Sequence, residues 1–176
     1  MKTFDMARIK NIHLIGIGGC GVGAVGKILL EMGYKVSGSD LKENANTIRL
    51  KEMGAHLFFG HEASNVREAD IVVYSSAIAK DNPEMLEANA RQIQIIPRAE
   101  ILSWIMSQSK VSIAIAGTHG KTTTTSMVSL VFDRTGQQPT ILIGAENNDV
   151  GGNATIGNGR YSIAEAEESD GSFLLL

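Results

Sequence analysis

The run Val111-Ser112-Ile113-Ala114-Ile115-Ala116, followed at once by Gly117-Thr118-His119-Gly120-Lys121-Thr122-Thr123, constrains this chain more than any other stretch. An apolar run of strand length, a glycine turn and then Lys-Thr opening a helix present several backbone N–H groups to a phosphate at a helix N-terminus. The stretch therefore reads as a nucleoside triphosphate site. Lys121 is placed to reach the β- and γ-phosphates and the Thr122 hydroxyl to hold Mg²⁺. Gly117 and Gly120 let the backbone approach without a Cβ in the way. The pattern is shorter than the common phosphate loop, because Ile115 stands where that loop has its first glycine. The bland alternative is a tight strand-to-helix turn that merely carries a lysine. The helical spacing from Ser126 to Arg134 favours the phosphate reading.

The first half of the chain opens with the same logic. Ile9 to Ile15 reads as a buried strand, and Gly16-Ile17-Gly18-Gly19-Cys20-Gly21-Val22-Gly23 satisfies the G-x-G-x-x-G spacing. The helical pattern from Val22 to Met32 follows, with small residues where a helix would lie close on a sheet. The strand Tyr34 to Ser39 then ends in Asp40, about 20 residues beyond the third glycine, where such folds hold a ribose hydroxyl. On spacing alone this is a dinucleotide signal. The alternative is that the glycines serve only helix packing and that Asp40 caps the next helix.

Composition bounds the remaining possibilities. With 176 residues, 43% of them hydrophobic, and a net charge of −3, the chain can bury a core. It has no Lys/Arg block of the kind a nucleic-acid partner requires. The single Cys20 can form no internal disulfide, the N-terminal residues lack a signal-peptide core, and no stretch is apolar enough to cross a bilayer. A cytoplasmic protein without a membrane or nucleic-acid partner is expected.

Other candidates lie at the ends of apolar runs. A helix is expected from Thr47 to Met53 and a short strand from Leu57 to Gly60. His61 and Asn65 follow, where they face a ligand or merely solvent. Ser75-Ser76-Ala77-Ile78 follow the buried strand Ala69 to Tyr74. Asn82-Pro83 is a fitting start for the helix of Glu84 to Ala90. A further strand, Ile93 to Ile96, precedes Pro97-Arg98-Ala99-Glu100, which opens an amphipathic helix. Arg98 there opposes the helix dipole, which suggests that it is aimed at an anion or at a carboxylate such as Glu84 or Glu100. A domain join is expected near Ser107 to Lys110, giving units 1–108 and 109–176. Beyond it come a strand over Thr140 to Ile143, a loop from Gly144 to Gly159, and a strand from Arg160 to Ala166 that delivers Glu165, Glu167, Glu168 and Asp170 at its end. Acids beside a triphosphate loop are placed to hold Mg²⁺, and a solvated acidic loop is the alternative.

Taken together, Gly16-Ile17-Gly18-Gly19-x-Gly21, Ser39-Asp40, Tyr74 to Ile78, Pro97 to Glu100, Gly117 to Thr123 and Glu165-Ala166-x-Glu168-Ser169-Asp170-x-Ser172-Phe173 resemble the Mur ligases along essentially the whole chain. That family uses the shorter phosphate loop seen here. The resemblance implies an α/β chain in which a Rossmann-like parallel-sheet domain precedes the start of a P-loop ATPase domain. It further implies ATP-dependent joining of L-alanine to the carboxylate of UDP-N-acetylmuramate through an acyl phosphate, in peptidoglycan precursor synthesis.

By the same resemblance ATP and Mg²⁺ are the cofactors. Gly117, Thr118, His119, Gly120, Lys121, Thr122 and Thr123 contact ATP, Lys121 stabilises the transferring phosphoryl group, and Thr122 and Glu165 ligate the metal. Gly16, Gly18, Gly19, Gly21, Ser39, Asp40, His61, Ser75, Ser76, Ala77 and Arg98 contact the UDP-sugar, so the first glycine motif cradles a uridine diphosphate and not a nicotinamide dinucleotide. A ligase that recycles a peptide onto the same sugar and a nicotinamide-binding domain remain the alternatives. The family usually has aspartate at Glu167. Because Mur ligases continue well past the position of Leu176, the polypeptide is expected to be an N-terminal portion, inactive alone, with the half after Lys110 the less stable.

Overall fold

In a computed structural model, which describes residues 4–144 and 152–166, strand β1 (Asn11–Ile15) lies at the centre of the first sheet. It is flanked by β2 (Lys35–Asp40) on one side and β4 (Ile71–Tyr74) on the other. With β3 (His56–Phe59) and β5 (Gln94–Pro97) outermost, the order is β3-β2-β1-β4-β5 and every pairing is parallel. The chain leaves β1 for β2 and β3, then returns to β4. This reversal opens a crevice at the carboxyl ends of β1 and β4, where doubly wound sheets bind ligands. Helices α1 (Cys20–Glu31), α2 (Ala45–Glu52), α3 (Pro83–Ala90) and α4 (Arg98–Ser107) cover the faces, and single 3-10 turns form at Met6–Arg8 and Ala63–Val66.

The remaining strands make a second sheet, β6-β9-β7-β8, from β6 (Val111–Ile115), β7 (Thr140–Leu142), β8 (Ala154–Thr155) and β9 (Tyr161–Glu165), with helix α5 (Lys121–Arg134) against it. β6, β9 and β7 are parallel; β8 runs antiparallel to β7. The sequence reads the segment around β8 as loop, because two residues carry no periodicity. Helix α2 begins earlier than the apolar spacing predicts, since Asn44 and Thr47 form a reciprocal capping box. The expected acids Glu167, Glu168 and Asp170 lie outside the described residues.

The two sheets share one apolar cluster, in which Ile12, Leu14, Val25, Ile28, Ile101 and Ile105 of the first half are joined by Leu142, Ala154 and Ala164 of the second. Helix α1 is the shared wall. On one side Gly26 lets it approach Leu14, whose Cδ1 would lie 2.9 Å from an added Cβ. On the other, Lys27 Nζ donates to the Ala154 carbonyl and Asn153 Nδ2 donates to the Cys20 carbonyl at 3.3 Å.

The opposite face of the first sheet buries polar groups. Glu84, in the first turn of α3 and fully buried, accepts from Ser39 Oγ (2.7 Å) and His61 Nδ1 (2.9 Å) on Oε2, and from Asn65 Nδ2 (2.7 Å) on Oε1. Buried His13 of β1 holds Ser37 Oγ at 2.9 Å through Nδ1 and brings Nε2 to 3.5 Å from Glu84 Oε1. Burial alone would raise the Glu84 carboxyl. The side chains of His13, Ser39 and Asn65, with the electrostatic pull of the His13 imidazole, outweigh that and hold it below the ordinary carboxylate value.

Two predictions follow from this packing. Because the folded Glu84 value is lowered, its ionisation stabilises the fold fully above the unfolded value of about 4.3, and that stability is lost as pH falls through the folded value. Glu84→Gln is therefore expected to cost about 1–3 kcal/mol at neutral pH, with the gap to the parent closing under acid, as read by urea denaturation across a pH series. Gly38→Ala places a Cβ 2.7 Å from the Leu14 carbonyl oxygen and 2.6 Å from Ile17 Cδ1. Overpacking of about 1–3 kcal/mol is expected in the same assay.

Candidate functional site

The turn after β1 is set by hydrogen bonds that consume much of its own polarity. Gly16 takes φ +81°, and the Gly16 and Ile17 amides donate to the Ser39 carbonyl at 2.8 and 3.1 Å. Gly18 is locked on both sides: its amide donates to Asp40 Oδ2 at 2.8 Å, and its carbonyl accepts from Asn44 Nδ2 and Asn46 Nδ2, each at 3.1 Å. A Cβ there would lie 2.6 Å from Asn44 Nδ2. Gly19 is the N-cap of α1, with no side chain capping the helix. The first turn of α1 thus presents backbone N–H groups outward at the positive end of the helix dipole.

The loop after β6 repeats this arrangement. Gly117 (φ +152°) and Gly120 (φ +79°) occupy backbone that side chains disfavour, and Gly120 caps α5 without a side-chain hydrogen bond. Lys121 Nζ arches back to the Gly117 carbonyl at 2.8 Å, closing the loop over itself.

Both helix N-termini open into one cleft of about 540 Å³. Its walls include Gly19, Cys20, Gly21 and Val22 from the start of α1, Ser75 and Ser76 after β4, Arg98 at the start of α4, Lys121 and Thr122 at the start of α5, and Glu165 at the end of β9. Arg98 lies against the glycine turn, its guanidinium 3.3 Å from where a Cβ on Gly21 would stand. Two cations and two helix dipoles therefore converge on a space large enough for phosphorylated ligands. One acid faces them: Glu165 Oε1 is buried without a hydrogen-bond partner, and Oε2 would lie 2.6 Å from a Cβ on Gly144. An orphaned carboxylate oxygen and a threonine hydroxyl lining one cleft are donor types suited to a hard divalent cation. Among the described residues no three His, Cys, Asp or Glu side chains cluster for a metal, so such an ion would draw its other ligands from phosphate and water.

Of the residues expected at the UDP-sugar, Gly19, Gly21, Ser75, Ser76 and Arg98 line this cleft. Gly16, Gly18 and Asp40 do not line it and build the turn instead. The Asp40 oxygens accept from the Gly18 and Leu41 amides, so this carboxylate latches the loop and does not cap α2, which begins at Asn44. Ser39 is fully buried and gives its hydroxyl to Glu84. His61 sits one strand farther along the carboxyl edge, with its Nδ1 also on Glu84. The Ala77 amide donates to Ser75 Oγ at 3.3 Å. Asn65 turns inward to Glu84 and the Gly60 carbonyl. Arg98 is not paired with Glu84, whose oxygens are taken.

Of the ATP-loop residues, Lys121 and Thr122 line the cleft, Gly117 and Gly120 shape the turn, and Thr118, His119 and Thr123 are exposed. Sequence reasoning missed Asn44 and Asn46 as supports of the glycine turn and His13 and Glu84 as the polar core beneath it. Glu84 was marked only by the Asn82-Pro83-Glu84 helix start and as a possible partner of Arg98.

Among the described residues no helix is long and apolar enough to cross a membrane. Comparison with known proteins places this geometry. Residues 11–110 match the model for the Mur ligase family, catalytic domain; the match spans the first sheet and ends just before β6. The chain is 54% identical over 169 residues to a UDP-N-acetylmuramate--L-alanine ligase of Geobacter sp. (strain M21), covering 96% of this chain and 36% of that protein. It is 50% identical over 181 residues to the ligase of the same name from Syntrophus aciditrophicus (strain SB), covering 100% and 38%. This chain thus spans little more than a third of the length of these relatives.

Among solved structures, the UDP-N-acetylmuramate-alanine ligase of Thermotoga maritima superposes with TM-score 0.86 at 34% identity, covering 92% of this chain and 38% of that one. The UDP-N-acetylmuramate:L-alanyl-gamma-D-glutamyl-meso-diaminopimelate ligase of Neisseria meningitides gives 0.85 at 30%, covering 92% and 54%. An α/β fold on a parallel sheet, two glycine turns opening into one cleft, and this degree of identity lead to one conclusion: the chain belongs to the Mur ligase family.

Proposed function

We propose that this chain supplies the sugar-nucleotide site and the phosphate loop of an ATP-dependent ligase that joins L-alanine to the carboxylate of UDP-N-acetylmuramate. The observation that carries this reading is the single cleft shared by the α1 turn, Arg98, Lys121, Thr122 and Glu165. In it, the unit 1–108 binds the UDP-sugar and the unit 109–176 begins the ATP-binding domain. The diphosphate lies against the first-turn N–H groups of Cys20, Gly21 and Val22 and the Arg98 guanidinium, with Ser75 and Ser76 offering hydroxyls. The triphosphate lies on the start of α5.

In the proposed reaction the muramic acid carboxylate attacks the γ-phosphorus of ATP, ADP leaves, and the resulting acyl phosphate is opened by the amine of L-alanine with loss of phosphate. Most of this work is positioning and charge stabilisation. Lys121 exchanges the Gly117 carbonyl for phosphate oxygens and stabilises charge on the transferring group. Thr122 and Glu165 would hold Mg²⁺, which when bound neutralises phosphate charge. Arg98 keeps the sugar-nucleotide end in register with the loop.

Two observations support this over the alternatives. Asp40 already accepts two backbone amides, so it is poorly placed to hold a nicotinamide ribose. Among solved structures the L-alanine ligase and the L-alanyl-gamma-D-glutamyl-meso-diaminopimelate ligase are nearly equal, at 34% and 30% identity, but the relatives at 50–54% identity are L-alanine ligases.

Calorimetric titration tests the reading. The chain is expected to bind UDP-N-acetylmuramate saturably and NAD not at all; the reverse result refutes it. Lys121→Ala is expected to weaken ATP binding about tenfold or more while leaving the sugar-nucleotide affinity unchanged. Chelating divalent cations is expected to weaken ATP binding in the parent protein far more than UDP-N-acetylmuramate binding.

A further inference from the structure

We propose that Glu84 is a positioning residue for the sugar-nucleotide site: its buried carboxylate orients His61 and fixes the Ser39 segment on which the glycine turn hangs. The inference rests on reading the first sheet as that site.

The chemistry begins with the donors around Glu84. An ionised carboxylate only accepts hydrogen bonds. Ser39 Oγ at 2.7 Å and His61 Nδ1 at 2.9 Å from Oε2, and Asn65 Nδ2 at 2.7 Å from Oε1, therefore all donate. This settles the His61 ring: Nδ1 carries a proton, and Nε2 is its remaining polar atom. Ser39 Oγ also lies 3.1 Å from His61 Nδ1, so the three groups form one closed set. A histidine whose inner nitrogen is held by a carboxylate has its outer nitrogen fixed in direction and in protonation.

Two lines run from this set to the carboxyl edge of the sheet. His61 follows β3 directly, and the Gly60 amide ahead of it donates to the Asp40 carbonyl at 2.9 Å. The second line runs through Ser39, whose side chain is held by Glu84 while its carbonyl receives the Gly16 and Ile17 amides at 2.8 and 3.1 Å. One buried carboxylate thus sets the outer nitrogen of His61 and the anchor of the turn that opens into the cleft. His13 completes the surroundings from β1, at 3.5 Å from Oε1. Glutamine at position 84 would keep the volume but turn one acceptor into a donor, opposing either Asn65 or the Ser39 and His61 pair. His61 would then be free to exchange tautomers.

Two measurements test this. The first needs no ligand: histidine nitrogen NMR spectra at mildly alkaline pH should show His61 as the Nδ1–H tautomer in the parent protein and as a mixture in Glu84→Gln. Identical tautomer populations in both would overturn the positioning role, whether or not the sugar nucleotide binds. The second is a calorimetric double-mutant cycle with UDP-N-acetylmuramate. Glu84→Gln should weaken binding about ten- to hundredfold, the range seen when a carboxylate orienting a metal-binding histidine is removed. In a His61→Gln background the same change should cost much less. Fully additive losses would overturn the proposal, since a carboxylate that merely supported the fold would act independently of His61. Should Glu84→Gln fail to fold, Glu84→Asp keeps the charge but withdraws it by one methylene, and serves both comparisons. Failure of the parent protein to bind UDP-N-acetylmuramate would count against the proposed function, leaving the NMR result to decide Glu84.

Discussion

The cleft exists because α1 is packed on two sides at once. A helix that covers one sheet normally turns its far face to solvent. Here the far face meets β7 and β8, with Lys27 and Asn153 tying the helix to the second sheet and Leu142, Ala154 and Ala164 completing its apolar surroundings. The small residues Gly23 and Gly26 make the near side possible: an added Cβ would meet the Ile17 carbonyl at 3.0 Å and Leu14 Cδ1 at 2.9 Å. With the helix seated this way, its N-terminus faces the N-terminus of α5 across one opening. The glycines of this stretch therefore divide: Gly16 and Gly18 build the turn, Gly19 and Gly21 line the cleft, and Gly23 and Gly26 serve packing.

That division explains what could be read from the sequence and what could not. Strand, glycine turn and helix were legible twice, because each leaves a local pattern: apolar runs, φ-permissive glycines and small residues at helical spacing. The cleft residues Gly19, Gly21, Ser75, Ser76, Arg98, Lys121, Thr122 and Glu165 were legible because they sit at the ends of such elements. Asp40 was picked out for ligand contact on spacing, and Ser39 and His61 through the family resemblance; each has a partner within the fold. The partner of Ser39 and His61 lies far off in sequence, 45 residues separating Ser39 from Glu84, and no periodicity encodes a pairing of that kind. The shared core was equally hidden. A polar stretch at Ser107 to Lys110 suggests a join between units, yet it says nothing of α1 reaching across to β8.

The buried network around Glu84 is a costly way to build a sheet face. An unpaired carboxylate there would be strongly destabilising, and apolar residues would pack at least as well. Pairing of both carboxylate oxygens with Ser39, His61 and Asn65, which leaves only His13 Nε2 of this set without a hydrogen bond, makes it tolerable and also makes it specific: the donors and acceptors match only when β2, the segment after β3, the turn at Ala63–Val66 and α3 are all in register. Such a network fixes geometry at the carboxyl edge more tightly than an apolar core, which tolerates small shifts at little cost.

Charge in the cleft leads to the same economy of explanation for Glu165. Arg98, Lys121 and two helix N-termini make the space attractive to anions, and a carboxylate among them works against that purpose. Two like unit charges about 4 Å apart repel by about 4 kcal/mol near a protein surface, so a phosphate placed beside Glu165 would be driven off unless a cation lay between them. The orphaned Oε1 points the same way, since a buried carboxylate oxygen without a donor is stable only if something else supplies positive charge. On the proposed reading Glu165 is the residue that makes the cleft selective for a nucleotide arriving with its divalent cation over a bare phosphate, which Lys121 and the helix dipole alone would accept equally well.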